Sequence, residues 1–135
     1  QIRGFVITII HSAWRLHFNL ELLSFKSSIW STRNLVDLGL NSPRKHDVRF
    51  LFTSSISKLW NRLQGPYPEE VQLDSALTAG LGYEESKYDS EKVGTKHFGL
   101  RATSLRIAKI AGGANGLWAT TDWVPNIVKS SIDLG

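Results

Sequence analysis

Val48-Arg49-Phe50-Leu51-Phe52-Thr53-Ser54-Ser55 is the stretch on which the fold turns. Its first half has the apolar character of a buried strand, and it ends in three hydroxyl side chains. Upstream, Phe5-Val6-Ile7-Thr8-Ile9-Ile10 is a second continuous apolar run, ending at His11-Ser12-Ala13-Trp14. Continuity rather than alternation predicts strands covered on both faces, as in a parallel sheet. Between the two runs, Phe25, Ile29, Thr32, Val36 and Leu40 recur at helical spacing and give one apolar face, which Asn41-Ser42-Pro43 stops. Downstream, Gly65-Pro66 and Pro68 predict irregular chain from Ile56 to Leu73. A helix is expected from near Tyr83 towards Phe98, with Gly99 as its C-terminal cap. Ala102 to Ile107 reads as a third strand, Gly112-Gly113-Ala114-Asn115-Gly116 as a flexible turn, and Trp123 to Leu134 as a closing helix carrying Trp123, Ile127 and Val128. This alternation is that of an α/β domain built on an open parallel sheet, in which ligands sit at the carboxyl ends of the strands. Small and polar residues gather at those ends: His11-Ser12-Ala13, Ser54-Ser55 and Ile110-Ala111-Gly112.

Composition narrows the functional classes. At 135 residues the chain forms one domain at most, and 41% hydrophobic with 21% charged residues is ordinary for a globular protein. The net charge of +4 is scattered, with its densest cluster at Arg44-Lys45-His46, so no basic stripe points to nucleic acid. The five tryptophans read as core and cleft walls rather than a base-stacking platform. Cysteine is absent, which rules out disulfides and fits a cytoplasmic setting. His11, His17, His46 and His97 lack ligand spacing, so no metal site is expected. No apolar run approaches the length of a membrane span.

The chemistry is concentrated in Gly82-Tyr83-Glu84-Glu85-Ser86-Lys87. On a helix, a spacing of four places Tyr83 and Lys87 on one face. A lysine ammonium there is expected to lower the phenol pKa and to offer donors to a neighbouring ribose. A tyrosine so tuned can pass a proton to a carbonyl oxygen as hydride reaches the carbon. Ser55 precedes Tyr83 by 28 residues at the end of a strand. Ser54 is the alternative should the strand register differ by one.

Strand-end serine followed by Tyr-x-x-x-Lys resembles the extended short-chain dehydrogenases/reductases. The resemblance is closer still to thioester reductase domains, the NAD-binding, male-sterility-like domains of fungal adenylate-forming, non-ribosomal-synthetase-like reductases. Aminoadipate reductase and the carboxylic acid reductases are relatives. The residues that carry it are Ile10 to Asn19, Thr32-Arg33-Asn34-Leu35-Val36-Asp37-Leu38, Gly82 to Tyr88, and Gly116-Leu117-Trp118-Ala119-Thr120-Thr121-Asp122-Trp123-Val124-Pro125. Together they implicate residues 1–135 as the central and C-terminal part of one such domain, with a Rossmann-like sheet. The resemblance implies NADPH as cofactor and, as partner, a phosphopantetheinyl carrier domain bearing an acyl thioester. It also implies reduction to an aldehyde, which some relatives take on to the alcohol. Ser55, Tyr83 and Lys87 would be catalytic. His11, Ser12, Ala13, Tyr83, Lys87, Arg106, Ile107 and Ile110 would line the cofactor cleft. Another extended dehydrogenase or epimerase, or an inactive remnant, is the alternative.

The chain departs from the pattern in several places. The family has Asn, Asp and Gly where Ser12, His17 and Glu84 stand, and its Arg-Ile-Gly-Gln reads Arg106-Ile107-Ala108-Lys109 here. Ala108 is expected to crowd the nicotinamide. The loop at Lys58-Leu59-Trp60 looks trimmed, and the glycine-rich βαβ portion that seats a pyrophosphate is expected upstream of Gln1.

Overall fold

The computed structural model describes residues 2–59, 65–78, 80–95 and 100–134. Three strands, β1 (Thr8–His11), β2 (Arg49–Ser55) and β3 (Arg101–Ile107), form one parallel sheet in the order β1-β2-β3. Helix α1 (Lys26–Leu40) connects the first pair and α2 (Gly82–Thr95) the second, while α3 (Trp123–Leu134) follows β3. The α/β alternation read from the sequence is therefore the observed one. Its expected cap at Gly99, the end at Phe98 and the loop residue Trp60 lie outside the described residues.

Register decides which side chains meet. His11 pairs with Phe52, and Ser55 pairs with Ile107, so β2 and β3 run three residues past the end of β1. The step leaves Thr53, Ser54 and Ser55 of β2 without a β1 partner.

The core lies on one face of the sheet. Ile9, Phe50 and Phe52 point to that face and pack with Val36 of α1, Val48 and Leu100. The predicted α1 face holds at Phe25, Thr32 and Val36, and Gly39 joins it where the helix meets Leu100 and Val48. Burial alternates strictly along β1 and β2. Among the described residues the opposite face is uncovered: Ile10 is 69% exposed and Leu105 42%. The expectation of strands covered on both faces is thus not met among the described residues, although their apolar sequence suits such cover.

Helix α2 is buried along nearly its whole length despite a polar sequence. Gly82, Ser86, Ser90 and Gly94 fall every four residues, and this narrow edge lets the helix approach its neighbours. A Cβ on Gly94 would meet the Phe50 ring at 3.3 Å, and one on Gly82 would overlap the Leu20 carbonyl and the Leu22 nitrogen. No helix among the described residues is long and apolar enough to cross a membrane.

Candidate active site at the carboxyl edge of the sheet

The first turns of α2 set Tyr83 and Lys87 beside the end of β2. Lys87 Nζ donates to the Thr53 carbonyl at 2.7 Å and lies 5.8 Å from the centre of the Tyr83 ring. It is also held over the faces of Trp14, at 4.3 Å, and Phe52, at 5.0 Å. Aromatic faces attract a cation but solvate it less well than water does. Burial accordingly lowers the Lys87 pKa from 10.5 to about 8.

Tyr83 is packed edge-on by Phe18 and Phe25. Burial raises its phenol pKa, the Glu84 carboxylate raises it further, and a hydrogen-bonding interaction with the Ser55 hydroxyl works in the opposite sense. The expected lowering by Lys87 does not appear. Loss of water around the phenol raises the pKa instead, and Lys87, with its own pKa lowered to about 8, has largely lost its charge where a phenol titrates.

Ser55 ends β2, and its hydroxyl is the group that acts to lower the Tyr83 pKa. Its Oγ lies 2.7 Å from Ser57 Oγ and accepts the Ser57 N–H at 3.2 Å. The alternative, Ser54, faces the core with its Oγ buried and unpartnered. His11 sits next to the lysine, between Trp14 and Phe52, with Nε2 3.0 Å from Thr32 Oγ1. Burial and the nearby Lys87 charge lower its pKa. A neutral imidazole bonded to a buried threonine is a fixed wall, not a mobile base.

The remaining predicted contacts are more scattered. Ser12 and Ala13 are exposed just beyond β1. Arg106 is turned to the helix-covered side, where it pairs with Glu91 at 2.9 Å and donates to the carbonyls of Pro68 and Glu70. Ile107 belongs to the uncovered face, and Ile110 is 72% exposed.

Sequence reasoning passed over three participants. Trp14 supplies the face that holds Lys87, yet its sequence signal is only a tryptophan after a strand. The Thr53 acceptor is a backbone group, which no residue type announces. Glu84 stands in the motif as a solvated-looking charge, but it is only 4% exposed and its pKa is raised by burial.

At the far end, Trp118 Nε1 donates to Asp122 at 2.9 Å, and Lys109 lies 5.0 Å over the Trp123 ring. The Trp118-to-Trp123 segment is therefore folded onto itself at the start of α3.

No family model matches the chain. It is 50% identical over its whole length to "Adenylate-forming reductase Nps9" of Serpula lacrymans var. lacrymans (strain S7.9), 12% of which is covered. "Adenylate-forming reductase Nps11" of the same strain is likewise 50% identical, with 13% covered. "Carboxylic acid reductase" of Neurospora crassa is 34% identical across 94% of this chain and 12% of that protein. The chain thus spans about an eighth of the length of the curated relatives it matches. Among solved structures, the terminal R domain from the myxalamid PKS-NRPS biosynthetic pathway superposes with a TM-score of 0.76 at 22% identity, over 95% of this chain and 33% of that one. That likeness establishes the α/β fold. By sequence, the chain is homologous to one segment of these adenylate-forming and carboxylic acid reductases.

Proposed function

We propose that this chain, a homologue of one segment of the fungal adenylate-forming reductases, is the central and C-terminal part of an NAD(P)-binding thioester reductase domain. Its reaction is reduction of an acyl thioester carried on a phosphopantetheine arm, in which hydride adds to the carbonyl carbon, the C–S bond breaks and the arm leaves as its thiol, giving an aldehyde or, with a second reduction, an alcohol. The observation that carries this reading is the placement of Tyr83 and Lys87 together against the carboxyl end of the strand that Ser55 closes, in a chain half identical to an adenylate-forming reductase.

The residues fit the nicotinamide end of a cofactor. Lys87 uses one donor on Thr53, leaving two for a ribose hydroxyl. Among the 135 residues no G-x-G-x-x-G turn is present to seat a pyrophosphate. NADPH, when bound, supplies the hydride. Ser55 and Tyr83 hydrogen-bond the thioester carbonyl oxygen and stabilise the charge that develops there. Tyr83 gives its proton to that oxygen, and its raised pKa keeps the phenol protonated until the charge appears. Phe18 and Phe25 keep water from the phenol.

A complete reductase polypeptide carrying this segment should oxidise NADPH with an acyl thioester and not with a nucleotide sugar. Turnover of the sugar, or of both equally, would place the chain among other extended dehydrogenases. Tyr83→Phe in that polypeptide should lower turnover by about 10²–10⁴-fold with little change in NADPH affinity. Turnover at the wild-type level would remove Tyr83 from the reaction.

A further inference from the structure

We infer that Trp14 is a positioning residue for Lys87: its indole face fixes the ammonium so that the donors not used on Thr53 stay available to a nicotinamide ribose. The inference rests on the reading of Lys87 as the group that holds that ribose. A lysine reaches its site on a flexible four-carbon stem, and a single hydrogen bond sets a distance without setting a direction. Among the described residues Lys87 Nζ has one such bond, to the Thr53 carbonyl at 2.7 Å. No carboxylate pairs with it there. What else confines it is aromatic. Nζ lies 4.3 Å from the centre of the Trp14 ring, 5.0 Å from Phe52 and 5.8 Å from Tyr83, all within reach of a cation–π contact. Indole is the strongest partner of the three, and here it is also the nearest. Tyr83 is the reacting group and Phe52 a member of the buried core, against which Trp14 only packs.

The indole wall is itself held. Trp14 stands edge-on to Phe52, with ring centres 5.5 Å apart and planes at 66°. His11 lies against it at 5.8 Å. That imidazole is in turn tied to α1. Thr32 has one hydroxyl proton and gives it to the Ser28 carbonyl at 3.2 Å, so His11 Nε2 is the donor in their 3.0 Å contact. His11 and Thr32 are both buried. A series of fixed contacts therefore runs from α1 through His11 and Trp14 to the ammonium on α2.

Indole at this position carries a cost that space-filling alone would avoid. Trp14 Nε1 is buried with no hydrogen-bond partner. An unpaired buried donor destabilises the fold, and phenylalanine or leucine would occupy much of the same space without one. What indole adds is the negative face of its ring, and that face is the side turned to Lys87. There is a charge for it to hold. With a pKa of about 8, Lys87 is mostly protonated at neutral pH, while its titratable neighbours His11 and Tyr83 are both neutral.

The test uses the complete reductase and reads NADPH affinity by fluorescence titration. Trp14→Leu removes the face and should weaken binding about 3- to 30-fold, the range of a desolvated cation–π contact. Trp14→Phe should keep most of the affinity. Mono-, di- and trifluorotryptophan introduced at position 14 preserve the ring's shape while drawing charge from its face. Affinity should fall stepwise along that series with thermal stability unchanged, which a space-filling role would not produce. In a Lys87→Met background neither Trp14→Leu nor fluorination should weaken binding further, because no ammonium is left to position. A flat fluorinated series would overturn the inference, as would an equal loss from Trp14→Leu with and without Lys87. If Trp14→Leu does not fold, the fluorinated series decides. Lys87→Met alone separates the two levels. Wild-type NADPH affinity in that variant would remove Lys87 from cofactor binding, and the reading beneath the inference fails. Lost affinity in Lys87→Met beside a flat fluorinated series means that only the role of Trp14 fails.

Discussion

Lys87 is asked to be a cation at a place that disfavours cations. Its pairing with Tyr83 was legible from a spacing of four, but the direction of the pKa shifts was not. That direction depends on Trp14, Phe52 and the Thr53 carbonyl, which close over the ammonium only in the folded chain. The sign of the consequence follows directly. With its pKa lowered from 10.5 to about 8, folded Lys87 binds fewer protons than unfolded Lys87 between those two values. Stability contributed by this group therefore rises as pH climbs through that window, and below about 8 the full cost of burying the charge is present. Thermal melts across the window should show the wild type gaining on Lys87→Met. Parallel curves would mean that Lys87 keeps its ordinary pKa. Tyr83, with its raised pKa, acts in the opposite sense above pH 10, but equally in both proteins. Glu84 illustrates the same limit. Its place in the motif was plain, yet only the packing around it shows a buried acid in place of a solvated charge.

At the scale of elements, α1 and α2 were found by different signals. Helix α1 has an apolar stripe, and the residues that form it are those that reach the core. Helix α2 has no such stripe. It is buried through small residues, and the sequence betrayed it only through Tyr-x-x-x-Lys and the glycine before it. Gly82 should accordingly be among the least replaceable positions. The Cβ of Gly82→Ala would overlap the backbone at Leu20–Leu22, which cannot swing aside as a side-chain end can. Overpacking of this kind costs roughly 1–3 kcal/mol. A clear fall in the denaturation midpoint is expected, and no change would show that the 20–22 segment yields. The Glu91–Arg106 pair makes a second element-scale case. Arg106 ties β3 to α2 and to the carbonyls of Pro68 and Glu70, a tie that could not be read from Arg106-Ile107 alone. Arg106→Leu should release that connection, so limited proteolysis should cut faster within residues 66–70. Unchanged cleavage would show that the connection holds by other contacts.

The whole molecule presents two apolar surfaces that its own described residues leave bare. One is the open sheet face, where Ile10 is 69% exposed and Leu105 42%. The other is α3, with Trp123 at 59%, Ile127 at 55% and Leu134 at 86%, lying along one side of the helix. Sequence foretold the strands' apolar continuity but not the absence of cover, because continuity records what a strand is suited to rather than what is packed on it. Such surfaces are larger than isolated exposed side chains and drive association in water. The unpaired outer edges of β1 and β3 add main-chain groups that can template pairing with another copy. Made alone, the 135-residue chain should therefore bind a hydrophobic dye strongly and form concentration-dependent oligomers or aggregates by light scattering. NADPH should rescue it little. With no G-x-G-x-x-G turn among these residues, contacts at Lys87 and the cleft must offset about 4 kcal/mol or more of lost rigid-body freedom. A dye-negative, monodisperse monomer, or one that titrates with NADPH at low micromolar concentration, would show that the described surfaces are covered in solution by this chain's own residues.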